Sequence, residues 1–183
     1  MLRLLTLALS IAWFILWWFV LYDKKLTKGT KQKEIGDTMS KYTNFAVWGL
    51  TMAQLLGVSL LPFSSVTTQW VGFCLVVVGV LLSISARIYL GSNWVPGYLY
   101  KKSEHLITNG PYRLMRHPIY TGILLVYIGS ELVAQSLLAI SFLAFFLACY
   151  WQGKREEKIL LEHFGKQYIV YQQHTKMLIP FVL

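Results

Sequence analysis

The chain has 183 residues, a length that fits a single domain, but 56% of them are hydrophobic and only 14% are charged. Soluble domains carry roughly 25% charged residues, and the shortfall here is concentrated in long apolar runs, so a polytopic membrane protein is expected, not a large soluble core. A formal charge of +9 raises nucleic acid as a partner, but the placement of the basic residues along the chain argues against it.

Leu4 to Tyr22 is a nearly unbroken apolar run of 19 residues, enough to cross roughly 30 Å of hydrocarbon as a helix. A cleaved signal peptide would have a shorter apolar core ending at small residues. This run ends instead in Trp17-Trp18-Phe19 and meets Asp23-Lys24-Lys25, an interfacial boundary, so it is expected to be a retained first span. Asp23 to Thr43 is polar and holds six lysines.

Phe45 to Pro62 reads as a second span, with Gly49, Gln54 and Gly57 suited to helix–helix contact in lipid. An uncharged loop from Phe63 to Gln69 follows. Trp70 to Leu90 is a third span, with Arg87 near enough to its end to snorkel. Gly91 to Met115, rich in turn signals such as Asn109-Gly110-Pro111, reads as a loop with at most one short helix.

Pro118 to Trp151 is a mostly apolar run of 34 residues. As one helix it would be about 50 Å long, too long for an ordinary span. The polar cluster Gly129-Ser130-Glu131 and Gln135-Ser136 favours a turn in the middle, giving a helical hairpin as spans four and five. Glu131 is expected in polar turn chemistry there. Pro118 sits well at a first helical position, with His117 as N-cap, and His117, Tyr120 and Thr121 then share one face at the positive end of the helix dipole. Gln152 to Lys176 reads as an amphipathic helical tail in which Leu161, Phe164, Tyr168 and Tyr171 share a face and Gly165 interrupts. The apolar end from Met177 is expected to pack back on the membrane surface or the protein. Cys74 and Cys149 lie in apolar runs without metal or redox spacing and are expected as small buried hydrophobes.

The expected fold is therefore all-α. It is one membrane domain over 1–183 with about five transmembrane helices, at 4–22, 45–62, 70–90, 118–133 and 136–152, and a helical C-terminal tail. With five spans, sixteen of the seventeen Lys and Arg residues fall on one side and only Arg3 on the other. The positive-inside rule makes the basic side cytoplasmic, with the N-terminus outside and the C-terminus inside. The net charge then follows from topology and attraction to anionic headgroups, which leaves the lipid bilayer as partner and no role for nucleic acid.

Chemistry-bearing residues collect on that basic side. The loop contributes Asn93, Trp94, His105, Tyr112, Arg113, Arg116, His117 and Tyr120, and the tail Arg155, Glu156, Glu157, Glu162 and His163. The fifth span returns the chain to the face where the fourth began, so Arg155-Glu156-Glu157 should lie near Arg116-His117. Carboxylates beside an imidazole and a guanidinium suit a zwitterionic ligand. Each also has a plainer role, as headgroup contact, helix cap or solvated helix face. His105, His163 and His174 show no metal spacing, and no metal is expected.

Two segments together carry a resemblance. His105-Leu106-Ile107-Thr108-Asn109-Gly110-Pro111-Tyr112 with Arg116-His117-Pro118-Ile119-Tyr120-Thr121-Gly122, and then Glu156-Glu157, Phe164-Gly165, Tyr168, Tyr171 and Ile179-Pro180, resemble the isoprenylcysteine carboxyl methyltransferase family, with Leu90-Gly91 and Trp94 fitting upstream. The resemblance covers roughly Arg87 to Pro180. It implies an integral membrane methyltransferase using S-adenosylmethionine, released as S-adenosylhomocysteine, in a cytosolic cofactor region formed by 91–117 and 153–183. Carried over, His105, Leu106, Gly110, Tyr112, His117, Pro118, Tyr120 and Glu156 would bind the cofactor. Arg116, Arg155 and Glu157 would serve catalysis; Arg116 and Arg155 would hold the cofactor carboxylate or an anionic substrate, and one of Glu156 and Glu157, the family's acidic pair, a polar group of the cofactor. The family's tail has an arginine upstream of the acidic pair where this chain reads Gln152-Gly153-Lys154-Arg155. The acceptor implied is a lipophilic or prenylated molecule bearing a carboxylate. Phospholipid amines and small thiols are alternative acceptors, and a nicotinamide-dependent membrane reductase of the sterol type or a non-enzymatic scaffold are the other classes.

Overall fold

The computed structural model describes residues 1–21, 31–32, 48–58, 65–93, 99–100, 105–135 and 139–180. Among them are six helices, here α1 (Leu2–Leu21), α2 (48–55), α3 (Val66–Leu90), α4 (Pro118–Ala134), α5 (Ala139–Phe164) and α6 (Lys166–His174). A two-residue antiparallel ladder pairs β1 (Lys31–Gln32) with β2 (Leu99–Tyr100). Within the described residues, α3 is the one helix long and apolar enough to cross a membrane outright, and Leu2–Ile15 and Pro118–Ala134 are shorter apolar helices.

The packing centre is the antiparallel pair α3–α4. On α3 the buried residues Gly72, Val76, Gly79, Ser83 and Ala86 recur at alternating spacings of four and three. Gly122, Val126, Gly129 and Val133 do the same on α4. The two stripes meet backbone to backbone. A Cβ on Gly72 would lie 2.6 Å from the Gly129 carbonyl oxygen, and one on Gly79 would lie 2.6 Å from that of Gly122. Apolar side chains gain little by leaving lipid for a protein interior, so helices in lipid associate through close backbone approach, and small residues permit it. On the second span Gln54 makes the expected helix–helix contact, to Glu131 on α4, whereas a Cβ added to Gly49 or to Gly57 would meet nothing within 4 Å among the described residues. The hydrophobicity of a run says where a span is, but not which face is used.

Several bounds differ from the sequence reading. Ser65 caps α3, accepting from the Thr68 N–H at 3.3 Å, so this helix starts before Trp70. The second span is helical over 48–55 and leaves the helix at Gly57, with φ 113°; 45–47 and 59–62 lie outside the described residues, as does Trp94. The Gly91–Met115 stretch holds two 3-10 turns, Gly91–Asn93 and Gly110–Arg113, where a loop with at most one short helix was expected. α4 ends at Gln135, in the left-handed region at φ 55°. α5 does not stop near 152 but runs on to Phe164, because Gln, Lys, Arg and Glu are good helix formers once the apolar stretch ends.

Glu131 is not in a solvated turn. It is 1% exposed in the last turn of α4 and accepts a hydrogen bond from Gln54 Nε2 at 3.3 Å, because the helix continues past it and α2 covers its face. Cys149 is buried but Cys74 is exposed, as it lies on the face of α3 away from the glycine stripe. Leu161 is 40% exposed whereas Tyr168 is 1% exposed: Gly165, at φ 53°, turns the chain, so the face predicted across it is broken.

The two ends of the bundle are distinct. At one end Arg3 donates to the Ala134 carbonyl at 2.8 Å and Gln135 Nε2 to the Ser65 carbonyl at 3.2 Å. At the other end lie the β1–β2 ladder, the Gly110–Arg113 turn, the start of α4 and the tail.

Candidate functional site

The site forms where the start of α4 meets the polar half of α5 and the tail. His117 occupies the N-cap position of α4 and Pro118 the first helical position, though the imidazole makes no capping bond. Instead its ring turns inward, buried, toward α5. Its Nδ1 is 3.5 Å from Glu156 Oε2 and its Nε2 3.6 Å from Glu157 Oε1. These are ion-pair separations rather than short hydrogen bonds. Tyr120, one turn into α4, lies over the imidazole with ring centroids 5.6 Å apart and donates its hydroxyl to Glu156 Oε1.

Arg116 is committed. Its Nε donates to Glu157 Oε1 at 2.5 Å, and its Nη1 donates to the carbonyls of Thr175 and, at 3.4 Å, Gln172. The backbone around it pairs with the tail: the Arg116 N–H donates to the Lys176 carbonyl at 2.8 Å and the His117 N–H to the Met177 carbonyl at 3.0 Å. Thr121 Oγ1 adds a bond to the Leu178 carbonyl at 2.6 Å. Thr175 to Leu178 therefore forms a strap along the start of α4. Met177 and Leu178 are buried against Leu124, Phe145 and Cys149, so this part of the apolar end packs on the protein; residues 181–183 lie outside the described residues. Tyr171 anchors α6 by donating to the Tyr112 carbonyl at 2.6 Å.

The electrostatics follow from burial and pairing. Burial pushes the Glu157 carboxyl up, but the His117 and Arg116 hydrogen bonds and charges outweigh it, and its pKa falls to about 2. Burial alone would lower the His117 imidazole; Glu156 and Glu157 outweigh it and raise its pKa above the ordinary value. The Glu157 carboxylate thus stays ionised between the guanidinium and the imidazole, and its charge favours the protonated form of His117. Burial, with Glu156 nearby, raises the Tyr112 phenol, so it stays neutral.

The residues singled out from sequence divide clearly. Arg116, His117, Tyr120, Glu156 and Glu157 come together, with Pro118 buried beneath them and Tyr112 buried beside them. Gly110, at φ 57°, lies against the Tyr89 ring, where a Cβ would be about 2.5 Å from ring carbon. Leu106 is half-buried and His105 exposed in the segment leading in. Arg155 is exposed and is not brought into the cluster, because the turn of α5 that aims Glu156 and Glu157 inward leaves it outward. Arg113, Glu162 and His174 are exposed too, and Asn93 and His163 are half-buried outside the cluster.

Sequence reasoning missed Gly153. It is buried mid-helix, where a Cβ would lie 3.3 Å from His117 Cδ2 and would collide with the Met177 methyl. Its absent side chain lets α5 approach the imidazole. A glycine inside a strong helix-forming run, with no turn to explain it, was the available signal. The strap was also missed, since nothing local marks Thr175–Leu178 as a pairing segment.

Fold and site together define a helical membrane-type protein with a polar cluster where one helix of the bundle starts. A family model described as phospholipid methyltransferase matches residues 67–167, more than half of the chain, and the chain belongs to that family. Protein-S-isoprenylcysteine O-methyltransferase B of Arabidopsis thaliana is 32% identical over 117 residues, covering 61% of this chain and 58% of that protein. The Tribolium castaneum protein-S-isoprenylcysteine O-methyltransferase is 36% identical over 120 residues, 61% of this chain and 41% of that one. The solved structure of a eukaryotic intramembrane Ras methyltransferase, an isoprenylcysteine carboxyl methyltransferase, superposes with a TM-score of 0.56 at 25% identity, covering 90% of this chain and 60% of that chain. The chain thus spans less than two thirds of the length of these relatives, and it is an intramembrane protein of their kind.

Proposed function

We propose that this chain is a membrane-embedded methyltransferase that moves a methyl group from S-adenosylmethionine to a lipophilic acceptor, the carboxylate of an isoprenylcysteine-like molecule. The observation that carries this reading is the union of Arg116-His117 with Glu156-Glu157 in one polar cluster at a helix start, in a chain similar to relatives named for that reaction.

The donor set fits the amino-acid end of the cofactor. Glu156 is a carboxylate whose side chain is 25% exposed, oriented by the Tyr120 hydroxyl and flanked by His117, and it suits an incoming ammonium. The first turn of α4 offers N–H groups and the positive end of a helix dipole to a carboxylate. When bound, S-adenosylmethionine supplies a methyl group already activated on a sulfonium sulfur. What the chain must add is alignment and exclusion of water. In this reading Glu156, Tyr120 and His117 hold the cofactor. Glu157 and Arg116 are positioning residues that fasten the strap, and the strap walls off water. Arg155 has no part. A carboxylate acceptor needs no general base, in keeping with a Glu157 held ionised rather than poised to take a proton.

We also infer five spans, with the site on the cytoplasmic side and the N-terminus outside. The β1–β2 ladder joins the loop after the first span to the loop after the third. Arg3, Ser65 and Gln135 meet at the opposite end. Both observations suit an odd number of crossings, and the basic residues favour the cytoplasm for the ladder end.

The test is methyl transfer from labelled S-adenosylmethionine by the full chain in nanodiscs, offered farnesylcysteine, phosphatidylethanolamine and a small thiol in parallel. Label in farnesylcysteine is expected. Label in the phospholipid alone would replace the acceptor with the one in the family's description, and label in none would sink the methyltransferase reading.

A further inference from the structure

The two turns of α5 that carry Glu156 and Glu157 have a second face, which the site does not use. Cys149, Gly153 and Glu157 are buried on the inner side of the helix. On the outer side Trp151, Arg155, Lys158 and Glu162 are exposed, at spacings of four, three and four that keep them on one face. Lys154 at the edge of that face is turned back toward the site, with its Nζ 3.4 Å from Glu157 Oε2 and 5.5 Å from the centre of the Tyr150 ring. Arg155 and Lys158 are not engaged. Among the described residues neither forms an ion pair, and Lys158 does not pair with Glu162 one turn on.

Followed back along α5, the same face becomes apolar. Leu143, Leu147 and Trp151 are 56%, 44% and 63% exposed, and with Arg155 and Lys158 they fall within about a third of the helix circumference, at 100° per residue. Read toward the site end, the face presents two leucines, a tryptophan and two basic residues. One leaflet of a bilayer has the same order of layers: hydrocarbon, the interface where aromatic rings sit, then headgroup phosphate. The spacings agree as well. Arg155 lies about 6 Å and Lys158 about 10 Å beyond Trp151 at the helical rise, and the polar layer of a leaflet is about 5–8 Å thick. Long basic side chains bridge the small difference by bending back along the helix.

We propose that this outer face of α5 holds an anionic phospholipid, with its phosphate between Arg155 and Lys158, its glycerol at Trp151 and an acyl chain along Leu147 and Leu143. Two basic side chains without carboxylate partners favour a headgroup of net negative charge over a zwitterionic one, and the guanidinium fork matches phosphate. The lipid is not the methyl acceptor, since it lies on the side of α5 away from the Tyr120–Glu156 contact. Its effect reaches the site through the helix. Glu156, Glu157 and Gly153 meet His117 at one rotation of α5, and a lipid gripped on the outer face resists any other, so anionic lipid should tighten cofactor binding. The lipid site rests on reading α5 as the fifth span, and its link to the cofactor rests on the methyltransferase reading.

The experiment places the full chain in phosphatidylcholine nanodiscs that carry a trace of photoreactive phosphatidylserine or photoreactive phosphatidylcholine. The serine lipid is expected to label the peptide holding Trp151–Lys158 about fivefold or more over the choline lipid, the weight of one basic side chain near an anionic surface. Arg155→Gln with Lys158→Gln should abolish the preference, and Arg155→Lys with Lys158→Arg should keep it. Calorimetry with S-adenosylmethionine should show severalfold tighter binding when the discs contain phosphatidylserine. The Gln pair should bind the cofactor equally in both kinds of disc, as the wild type does in phosphatidylcholine alone. Equal labelling by the two lipids, or a preference that survives in the Gln pair, overturns the lipid site. Displacement of the label by soluble glycerophosphoserine overturns it too, in favour of a free phosphate ester. Preferential labelling with no change in cofactor affinity overturns the coupling alone, and cofactor binding in neither kind of disc overturns the methyltransferase reading while leaving the labelling to decide the lipid site.

Discussion

At the scale of single residues, the two adjacent glutamates have different work. Glu157 is saturated by Arg116, His117 and Lys154, and Glu156 is held by Tyr120 and His117 while keeping an exposed edge. Glu156→Gln should therefore weaken S-adenosylmethionine binding about tenfold or more and leave the melting temperature nearly unchanged. Glu157→Gln should cost roughly 2–3 kcal/mol of stability, the range for a hydrogen bond to a charged group. Calorimetric titration and thermal melting of both variants read the difference, and equal behaviour of the pair would remove the assignment. The pH dependence follows from the same contacts. His117 has a raised pKa, so its contribution to stability is complete below about 6.5 and is lost as pH rises through the higher folded-state value. Glu157 has a lowered one, so its contribution is complete above about 4.5 and is lost as pH falls toward about 2. The hydrogen-exchange protection factors at Thr175–Leu178, which divide out the intrinsic base catalysis of exchange, should then be highest from mildly acid to neutral pH and fall on the alkaline side. His117→Gln should abolish that alkaline change.

At the scale of elements, the α3–α4 pair carries the packing, and the start of α4 with the polar half of α5 and the tail carries the site. Gly129 cannot accept a side chain, since its Cβ would lie 2.5 Å from the Gly72 carbonyl oxygen, and backbone cannot swing aside as a flexible side chain can. Gly129→Ala should cost about 1–3 kcal/mol, the usual penalty of overpacking. Gly49→Ala, whose Cβ would meet nothing within 4 Å among the described residues, should be neutral or stabilising by up to about 1 kcal/mol through helix propensity. Melting curves of the two variants decide it, and a tolerated Gly129→Ala would mean that the helices do not meet backbone to backbone. Much of this level was legible in the sequence. Pro118 marked the start of α4 because its ring preorganises the first turn and its missing N–H has no partner to lose. Gly165 marked a break because its backbone reaches the left-handed region cheaply. The end of α5 was not legible, since a change from apolar to polar residues reports a change of surroundings and not a change of backbone conformation.

At the scale of the whole molecule, the tail closes the structure on itself. Removing residues from Thr175 onward would delete the carbonyl partners of Arg116, His117 and Thr121 together with buried Met177 and Leu178. Such a truncation is expected to abolish cofactor binding while α1 to α4 stay assembled. Calorimetry for the cofactor and protease resistance of the α3–α4 pair would report the two halves of that expectation separately, and retained binding would exclude the strap from the site.

The sequence alone determined the apolar runs, the basic end and the two motif segments. Each is written in contiguous residues: an apolar run by its length without charge, a helix start by a proline, a basic end by where lysines cluster. Only the tertiary structure decided which faces meet. Arg116 and Glu157 are 41 residues apart, and their pairing depends on how α4 and α5 are rotated, which the glycine stripe on α3 and the missing side chain of Gly153 control. The same holds for Glu131, which the sequence placed in a turn and the fold buried under α2. Hydropathy measures each residue's preference between water and lipid, whereas the site is set by contacts between helices, and those are settled by shape.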